Sequence, residues 1–371
     1  MILRCDKAKL LKAIGAVLPA VAGVSRGSIA GAVRVAVDAS GACSLNVVSY
    51  GMKSRTTVDV DAVASGVAVV TAAELNIAIS AMANGSVIQL STDSGGARGE
   101  RLIVSSGRST FNLAAFEASE FPDVSMVRDG RAFSLPAALL GRALEVCAPF
   151  VSKDDKRPVL QSVQVLIADG GMTAVATDGF VVSRMTAEID APDLKLYLPD
   201  DAIRVLRHLL DDAENVEFCD NGRDLWIGVG DTAIVIRPSE DPFPGVLKLF
   251  DKNPGRGVRL SRDEIKAALN AVVVLDAGNC VTMARDDGAL RLSMRSRQGE
   301  EASTTVDLAV DCEAAPTISF DAQKLRKVLA IFNADFVLMH VTDTMAPAMF
   351  TSPRDPSAAA IIMPMNPDGV A

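Results

Sequence analysis

The sequence predicts an α+β fold of three tandem domains, each with two helices packed on antiparallel sheet, and three observations carry that prediction. An apolar residue followed by proline recurs at Phe121-Pro122, Phe243-Pro244 and Met363-Pro364, after 122 and then 120 residues. Amphipathic segments begin near Asp6, Thr71, Ser134, Pro199, Ser261 and Asp321, at intervals of 60 to 65 residues. Between them the sequence alternates and is rich in β-branched residues, in short runs broken at Gly, Asp and Asn. The expected divisions are 1–125, 126–250 and 251–371, holding six pseudo-repeats in all.

Each element follows from local chemistry. Leu10, Leu11, Ile14, Val17 and Leu18 recur at helical spacing in the first helix, as do Ile203, Leu206, Leu209 and Leu210 in the fourth. Thr71-x-x-Glu74 and Ser261-x-x-Glu264 read as capping boxes, whose hydroxyl and carboxylate satisfy backbone donors left over by the first turn. Residues 32–37, 86–91, 163–167 and 232–236 alternate as strands. Their short connections favour antiparallel hairpins over the long crossovers of parallel sheet. Gly95 to Gly99 reads as one hairpin tip.

A chain of 371 residues is too long for one ordinary core and suits three domains of about 120. The longest apolar runs are broken before membrane-spanning length, and Met1-Ile2-Leu3-Arg4 leads into a helix rather than a signal peptide; a soluble, cytoplasmic protein with no membrane partner is expected. The six cysteines lie at least 32 residues apart without a C-x-x-C pair, so buried free thiols are expected and no metal or other cofactor. With only His208 and His340, and no phosphate-binding glycine loop, no catalytic pattern is found.

The net charge, 37 basic against 46 acidic residues, is −9 and by itself argues against a nucleic-acid partner. Its distribution argues the other way. Five of the six helices carry bases off their apolar stripe: Lys7, Lys9 and Lys12; Arg142; Arg204 and Arg207; Arg262 and Lys266; Lys324, Arg326 and Lys327. One such face is an ordinary solvated helix. Recurrence in five equivalent helices points to a basic surface on an acidic molecule, which suits loose retention of a polyanion.

Five further markers carry a resemblance. Ser105 to Phe111 running into Glu120-Phe121-Pro122-Asp123, then Arg157-Pro158-Val159-Leu160, Ala176-Thr177-Asp178-Gly179, Asp241-Pro242-Phe243-Pro244 with Lys252-Asn253-Pro254, and Met363-Pro364-Met365 are similar, in order and spacing, to those of the bacterial DNA polymerase III β subunits, the sliding clamps. The resemblance covers the whole chain and is strongest from Gly107 onward. It implies three clamp domains per subunit and a head-to-tail homodimer closed into a ring around duplex DNA, bound without regard to sequence. Twelve helices of about 10 Å diameter side by side give an inner opening on the order of 30 Å, wide enough for a duplex and water. The implied role is a DNA polymerase processivity factor, whose partners are the polymerase III catalytic subunit, the clamp loader and other clamp-motif proteins.

Combining helix faces with the resemblance, the expected DNA contacts are Lys7, Lys12, Arg26, Arg142, Lys153, Lys156, Arg157, Arg204, Arg207, Lys266, Lys324 and Lys327. The resemblance places a peptide groove at Leu160, Thr177, Gly179, Phe180, Val182, Pro244, Lys248, Leu249, Met345, Pro347, Ile362, Met363, Pro364 and Met365, and a ring-closing contact at Phe111 facing Val274 and Leu275. Aliphatic and thioether side chains suit a pocket that repacks for different ligands.

The chain departs from the family in three places. Phe180-Val181 replace a polar or basic pair, a tail from Asn366 to Ala371 follows Met-Pro-Met, and the first domain has Ser28-Ile29-Ala30-Gly31 and Ser49-Tyr50-Gly51-Met52 where the family has L-P-I-L and T-D-L-E. These departures keep open a clamp-fold scaffold or decoy that serves a plasmid, a phage or repair. An enzyme with an unrecognised site is the remaining alternative, and turnover by the purified protein would favour it.

Overall fold

The computed structural model describes residues 1–371 except 23, 25–26, 50, 94–98, 155, 252–256, 274–279, 287–288, 296–300, 308–316 and 367–371. Two compact units emerge: residues 1–141 with 199–238, and residues 142–198 with 239–371.

The repeat is one of strand running straight into helix. Strand Ile2–Asp6 leads into α1 (Lys7–Val17), Gly66–Thr71 into α2 (Ala72–Ser80), Arg131–Pro136 into α3 (Ala137–Cys147) and Leu194–Pro199 into α4 (Asp200–Leu209). Gly257–Ser261 then leads into α5 (Arg262–Val272), and Ile318–Asp321 into α6 (Ala322–Ala330). Five of the expected starts fall on the residue before the helix. The exception is Ser134, which lies in a strand, its hydroxyl donating to the Val216 carbonyl at 3.2 Å. That strand pairs residue for residue with Asn215–Asp220, burying Leu135 and stacking Phe133 on Phe218 at 5.0 Å. Alternation therefore holds through Pro136, and the helix begins after it.

The capping boxes are also corrected. Neither the Thr71 nor the Ser261 side chain caps its helix; Asp321 does, accepting from the Lys324 amide at 2.9 Å. An ionised carboxylate at a helix N-terminus gains from the dipole as well as from the hydrogen bond.

In unit one, thirteen strands form one antiparallel sheet. Its continuity depends on Met52–Val58 pairing with Thr232–Ile236, where the buried Thr56 and Thr232 hydroxyls meet at 3.0 Å. Unit two has an eight-stranded and a four-stranded sheet. In the former, strand Val181–Glu188 pairs with Ala358–Ile362, joining sequence 180 residues apart. Each unit thus takes strands from the middle third of the chain: residues 131–136 and 215–236 extend one sheet, residues 162–199 the other.

The helices bury the stripes read from the sequence, Leu10, Ile14 and Val17 in α1 and Ile203 and Leu206 in α4. Phe121 is nine-tenths buried with Ala32 and Val69, so the apolar-proline marker closes a core there. Cys5, Cys43, Cys147 and Cys219 are buried free thiols; Cys280 is half-buried, and Cys312 lies outside the described residues. Burial pushes the Cys43 and Cys147 thiols up to about 12, so they stay protonated and unreactive at neutral pH. The tip expected at Gly95 to Gly99 is described only at Gly99, but the flanking strands Val87–Asp93 and Arg101–Ser106 do pair as a hairpin.

Candidate functional site

Unit two holds every residue expected in the groove, and the eight-stranded sheet explains how they meet. Strand Gly171–Thr177 ends at a turn, Asp178 to Phe180, and Val181–Glu188 returns beside it with Thr177 opposite Val182. Asp178 Oδ1 accepts from the Phe180 and Val181 amides at 2.9 and 2.8 Å, and Thr177 Oγ1 donates to the Val181 carbonyl at 2.7 Å. Gly179 has a φ of +92°, strained for other residues, and a Cβ there would lie 3.5 Å from the Arg157 guanidinium. The turn is therefore rigid and projects Phe180, which is 61% exposed.

The C-terminal strand completes this end of the sheet. Ile362 lies opposite Val181 on one side and Ala348 on the other, so the chain leaving Ile362 and the turn preceding Ala348 stand beside Phe180. The Met363 amide donates to the Phe180 carbonyl at 2.8 Å, and the Met365 amide to the Ser319 carbonyl at 2.7 Å. Met363 is 44% exposed and Met345 62%. Phe180, Met345 and Met363 are the large apolar side chains of unit two that lie exposed among the described residues.

Register corrects one assignment. Cross-strand partners share a face, so Ile361, opposite Val182, lies on the groove face, and Ile362, opposite Val181, points into the core with no exposure. The sequence reading chose the wrong neighbour because Ile361-Ile362 is an unbroken apolar pair. Leu160 and Thr177 are buried, Leu249 is half-buried, and Pro244, Lys248 and Pro347 are exposed.

Lys324 joins the turn. Its ammonium pairs with Asp178 Oδ2 and stands 5.1 Å from the Phe180 ring centroid. Burial alone would raise the Asp178 carboxyl, but hydrogen bonds from Lys324 and from the Val181 and Phe180 amides outweigh it and hold the carboxyl below its usual range. Lys324, expected on DNA, is thus engaged at the groove turn.

The other expected bases divide by what already holds them. Lys7 is the clear correction: it is buried, and its ammonium donates to the Ser80 and Met82 carbonyls and to Asn84 at 2.9, 2.5 and 3.0 Å. Its three donors are used at the end of α2, leaving none for a phosphate. Arg142 is anchored to Asp355 at 2.5 Å and to the Ile331 carbonyl at 2.8 Å. Arg204 is held by Asp200 and Asp201, and Lys12 meets Asp212 at 3.0 Å across exposed surface. Lys327 is exposed and donates to the Pro149 carbonyl at 3.2 Å. Lys153, Lys156 and Arg207 are exposed and Lys266 half-buried, with no ion pair among the described residues. Arg26 lies outside the described residues.

Phe111 is half-buried on strand Ser109–Phe116. This strand pairs with Arg101–Ser106 along one edge, whereas along its other edge only Ala115 and Phe116 meet the next strand. Residues 109–114 therefore present an edge unpaired among the described residues. Val274 and Leu275 lie outside them.

Known proteins match this arrangement. Residues 248–366 match the family model for the DNA polymerase III beta subunit, C-terminal domain. The beta sliding clamps of Proteus mirabilis and Escherichia coli K12 are 27% identical over 274 residues and 26% over 275, in each case 72% of this chain and 74% of the relative. Among solved structures, the DNA polymerase III beta subunit of Thermotoga maritima superposes with a TM-score of 0.88 at 19% identity, covering 98% of this chain and 99% of that one. A Caulobacter crescentus beta sliding clamp gives 0.86 at 21%, and a Pseudomonas aeruginosa sliding clamp bound to griselimycin 0.85 at 20%, each covering 99% of both chains. The solved structures establish the fold from end to end, the sequence matches run through the segments that build the groove turn and the C-terminal strand, and the chain is a divergent member of the bacterial beta sliding clamp family.

Proposed function

We infer that this protein is a DNA polymerase processivity factor, a non-catalytic clamp that tethers its partners to duplex DNA through a peptide groove. The observation that carries this reading is the meeting of Phe180 and Met363, from turns 183 residues apart, with Met345 at the same end of one sheet. Isolated exposed apolar residues are ordinary on soluble proteins, but three at one strand end beside half-buried Leu249 make a surface for an apolar ligand. The groove comprises Leu160, Thr177, Gly179, Phe180, Val182, Pro244, Lys248, Leu249, Met345, Pro347, Met363, Pro364 and Met365, with Ile361 in place of Ile362. Its ligands are short motifs of the DNA polymerase III catalytic subunit, the clamp loader and other clamp-motif proteins.

The division into domains 1–125, 126–250 and 251–371 is supported by the two helices in each third and by the family match that starts at residue 248. Two subunits close head to tail, with the open edge at Phe111 meeting the partner's Val274 and Leu275. Lys153, Lys156, Arg207, Lys266 and Lys327 supply the readiest phosphate contacts; Lys12, Arg157 and Arg204 must share theirs with carboxylates, and Arg26 adds another. A closed ring stays on DNA without a tight contact, so weak, exchangeable Lys and Arg interactions suffice. No helix among the described residues is long and apolar enough to cross a membrane, and the replicative role places the protein in the cytoplasm at the nucleoid.

The test is topological. Loaded protein should remain on nicked circular DNA and leave after linearisation, and Arg207→Glu should lower retention and flatten its salt dependence. Equal loss from circular and linear DNA would favour the scaffold reading, in which the groove binds peptides and no DNA is encircled.

A further inference from the structure

We propose that Arg184 reads a carboxylate in the docked peptide, so that the groove selects acidic as well as apolar motifs; this rests on the groove reading above. Arg184 lies two residues beyond Val182 in the same strand, opposite Val175 and Ala359. Strand alternation places Val182 and Arg184 on one face, about 7 Å apart along the chain. On that face the segment after Leu249 covers Arg184, with the guanidinium carbon 4.4 Å from the Phe250 ring centroid.

The guanidinium has no hydrogen-bond partner among the described residues, and this sets it apart. Three arginines have a buried, unpartnered Nε: Arg184, Arg204 and Arg326. Arg204 compensates through Asp200 and Asp201, and Arg326 through Asn270 at 2.6 Å. Arg184 has no such compensation. Burial lowers its pKa and the charge of Asp251 opposes that shift, without approaching to ion-pair distance. Five donors held flat against an aromatic ring and partly withdrawn from water form a fork for which a carboxylate is the matching acceptor.

The charge around it agrees. Lys248, exposed on the single turn Val246–Leu249, and Lys324 beside Phe180 give the rim two more cations. The occupant is therefore a short extended peptide whose apolar anchor lies over Val182 and Ile361 and whose Asp, Glu or terminal carboxylate reaches Arg184. Two residues of an extended ligand span the same distance as two residues of the strand beneath, so the acid stands two positions from the anchor.

The experiment uses the full-length protein and a polymerase-derived clamp-motif peptide carrying either Glu or Gln, placed in turn two residues to each side of the anchor. Calorimetry on the wild type should show one Glu peptide binding about tenfold more tightly than its Gln counterpart. Arg184→Met, which keeps the stem against Phe250, should bring that Glu peptide to the Gln level and leave the Gln peptide unchanged. Arg184→Lys, which keeps the charge without the fork, should fall between and serves if the Met variant does not fold. Equal affinity of Glu and Gln peptides at both positions, or equal losses for both in Arg184→Met, overturns the proposal and leaves the groove standing. No binding of any peptide, with or without residues 363–371, overturns the groove itself.

Discussion

Both units leave large apolar side chains in water, but only in one do they coincide. Unit one exposes Val63 on an edge strand, Ile77 on α2, Val87 at the start of another strand and Val127 in a connecting segment, each on a different element. Unit two exposes Phe180, Met345 and Met363, which the pairing of Ala358–Ile362 with strands on either side draws to one sheet end. Exposure therefore says little about binding until topology is known. The same contrast holds for charge: the pair of unit one, Lys12 with Asp212, is exposed on both sides, whereas the Arg142–Asp355 pair of unit two is largely buried.

The largest effect is expected from deleting residues 363–371, which removes Met363, Pro364 and Met365 and the amide bonded to Phe180, while Ile362 keeps both strand partners. Peptide affinity should fall by about 100-fold or more, with little change in the denaturation midpoint. Cutting one residue earlier also deletes a fully buried isoleucine and should cost about 2–5 kcal/mol of stability. Removing only 367–371 should preserve affinity, or raise it if the tail covers the groove. Calorimetry and denaturant titration of the three truncations separate these outcomes, and unchanged affinity after the cut at 363 would make the sheet end of unit two no more a site than Ile77 is.

The next effect concerns the two ion pairs. Asp355→Ala strands the Arg142 guanidinium and also removes the acceptor of the Asn333 amide, so about 3–5 kcal/mol of destabilisation is expected. Asp212→Ala should change stability by about 1 kcal/mol or less, since an exposed pair is screened. Comparable losses in denaturant titrations would erase this distinction between the units.

Single side chains sharpen it further. Phe180→Ala should lower peptide affinity by about 1–2 kcal/mol while barely altering stability, because the ring is mostly in water. Ile77→Ala, a cut of similar exposure in unit one, should leave peptide affinity unchanged. Equal responses in a binding titration would mean that exposure alone, without convergence, governs the peptide site.

Much of the fold was legible because its signals are local. Strand alternation and helical spacing are properties of neighbouring residues, and five of the helix starts follow from them to the residue. What failed needed partners from elsewhere. Ser134 looks like a cap until the strand at 215–220 claims it, and Lys7 looks like a surface base until Ser80, Met82 and Asn84 surround it. Choosing Ile362 over Ile361 required the register with Val181 and Val182, which no composition supplies. The groove was legible only through its resemblance to a family, since its parts lie at 160–182, 244–249 and 345–365 and no spacing connects them. Arg184 left no sequence signal at all: it reads as an ordinary base alternating in a strand, and only its missing partner distinguishes it.

The smallest effect expected is a response to acid at the groove turn. Asp178 has a folded-state pKa below its unfolded one, because the bonds from Lys324 and two backbone amides outweigh the cost of burial. Its contribution to stability is accordingly complete above the unfolded value, about 3.9, and is lost as pH falls through the lower folded value. Asp178→Asn should therefore be less stable than the wild type at pH 6, with the gap closing toward pH 3. Unit one supplies the control in Asp123, held at about 2 by the Ser125 hydroxyl and by Lys53 but fully exposed, so that solvent weakens those bonds. Asp123→Asn should show the shallower pH response in the same thermal melts. If the gap for Asp178→Asn stayed constant from pH 6 to pH 3, ionisation would not be what fixes the turn, and the placement of Phe180 would have to depend on the backbone bond to Met363 instead.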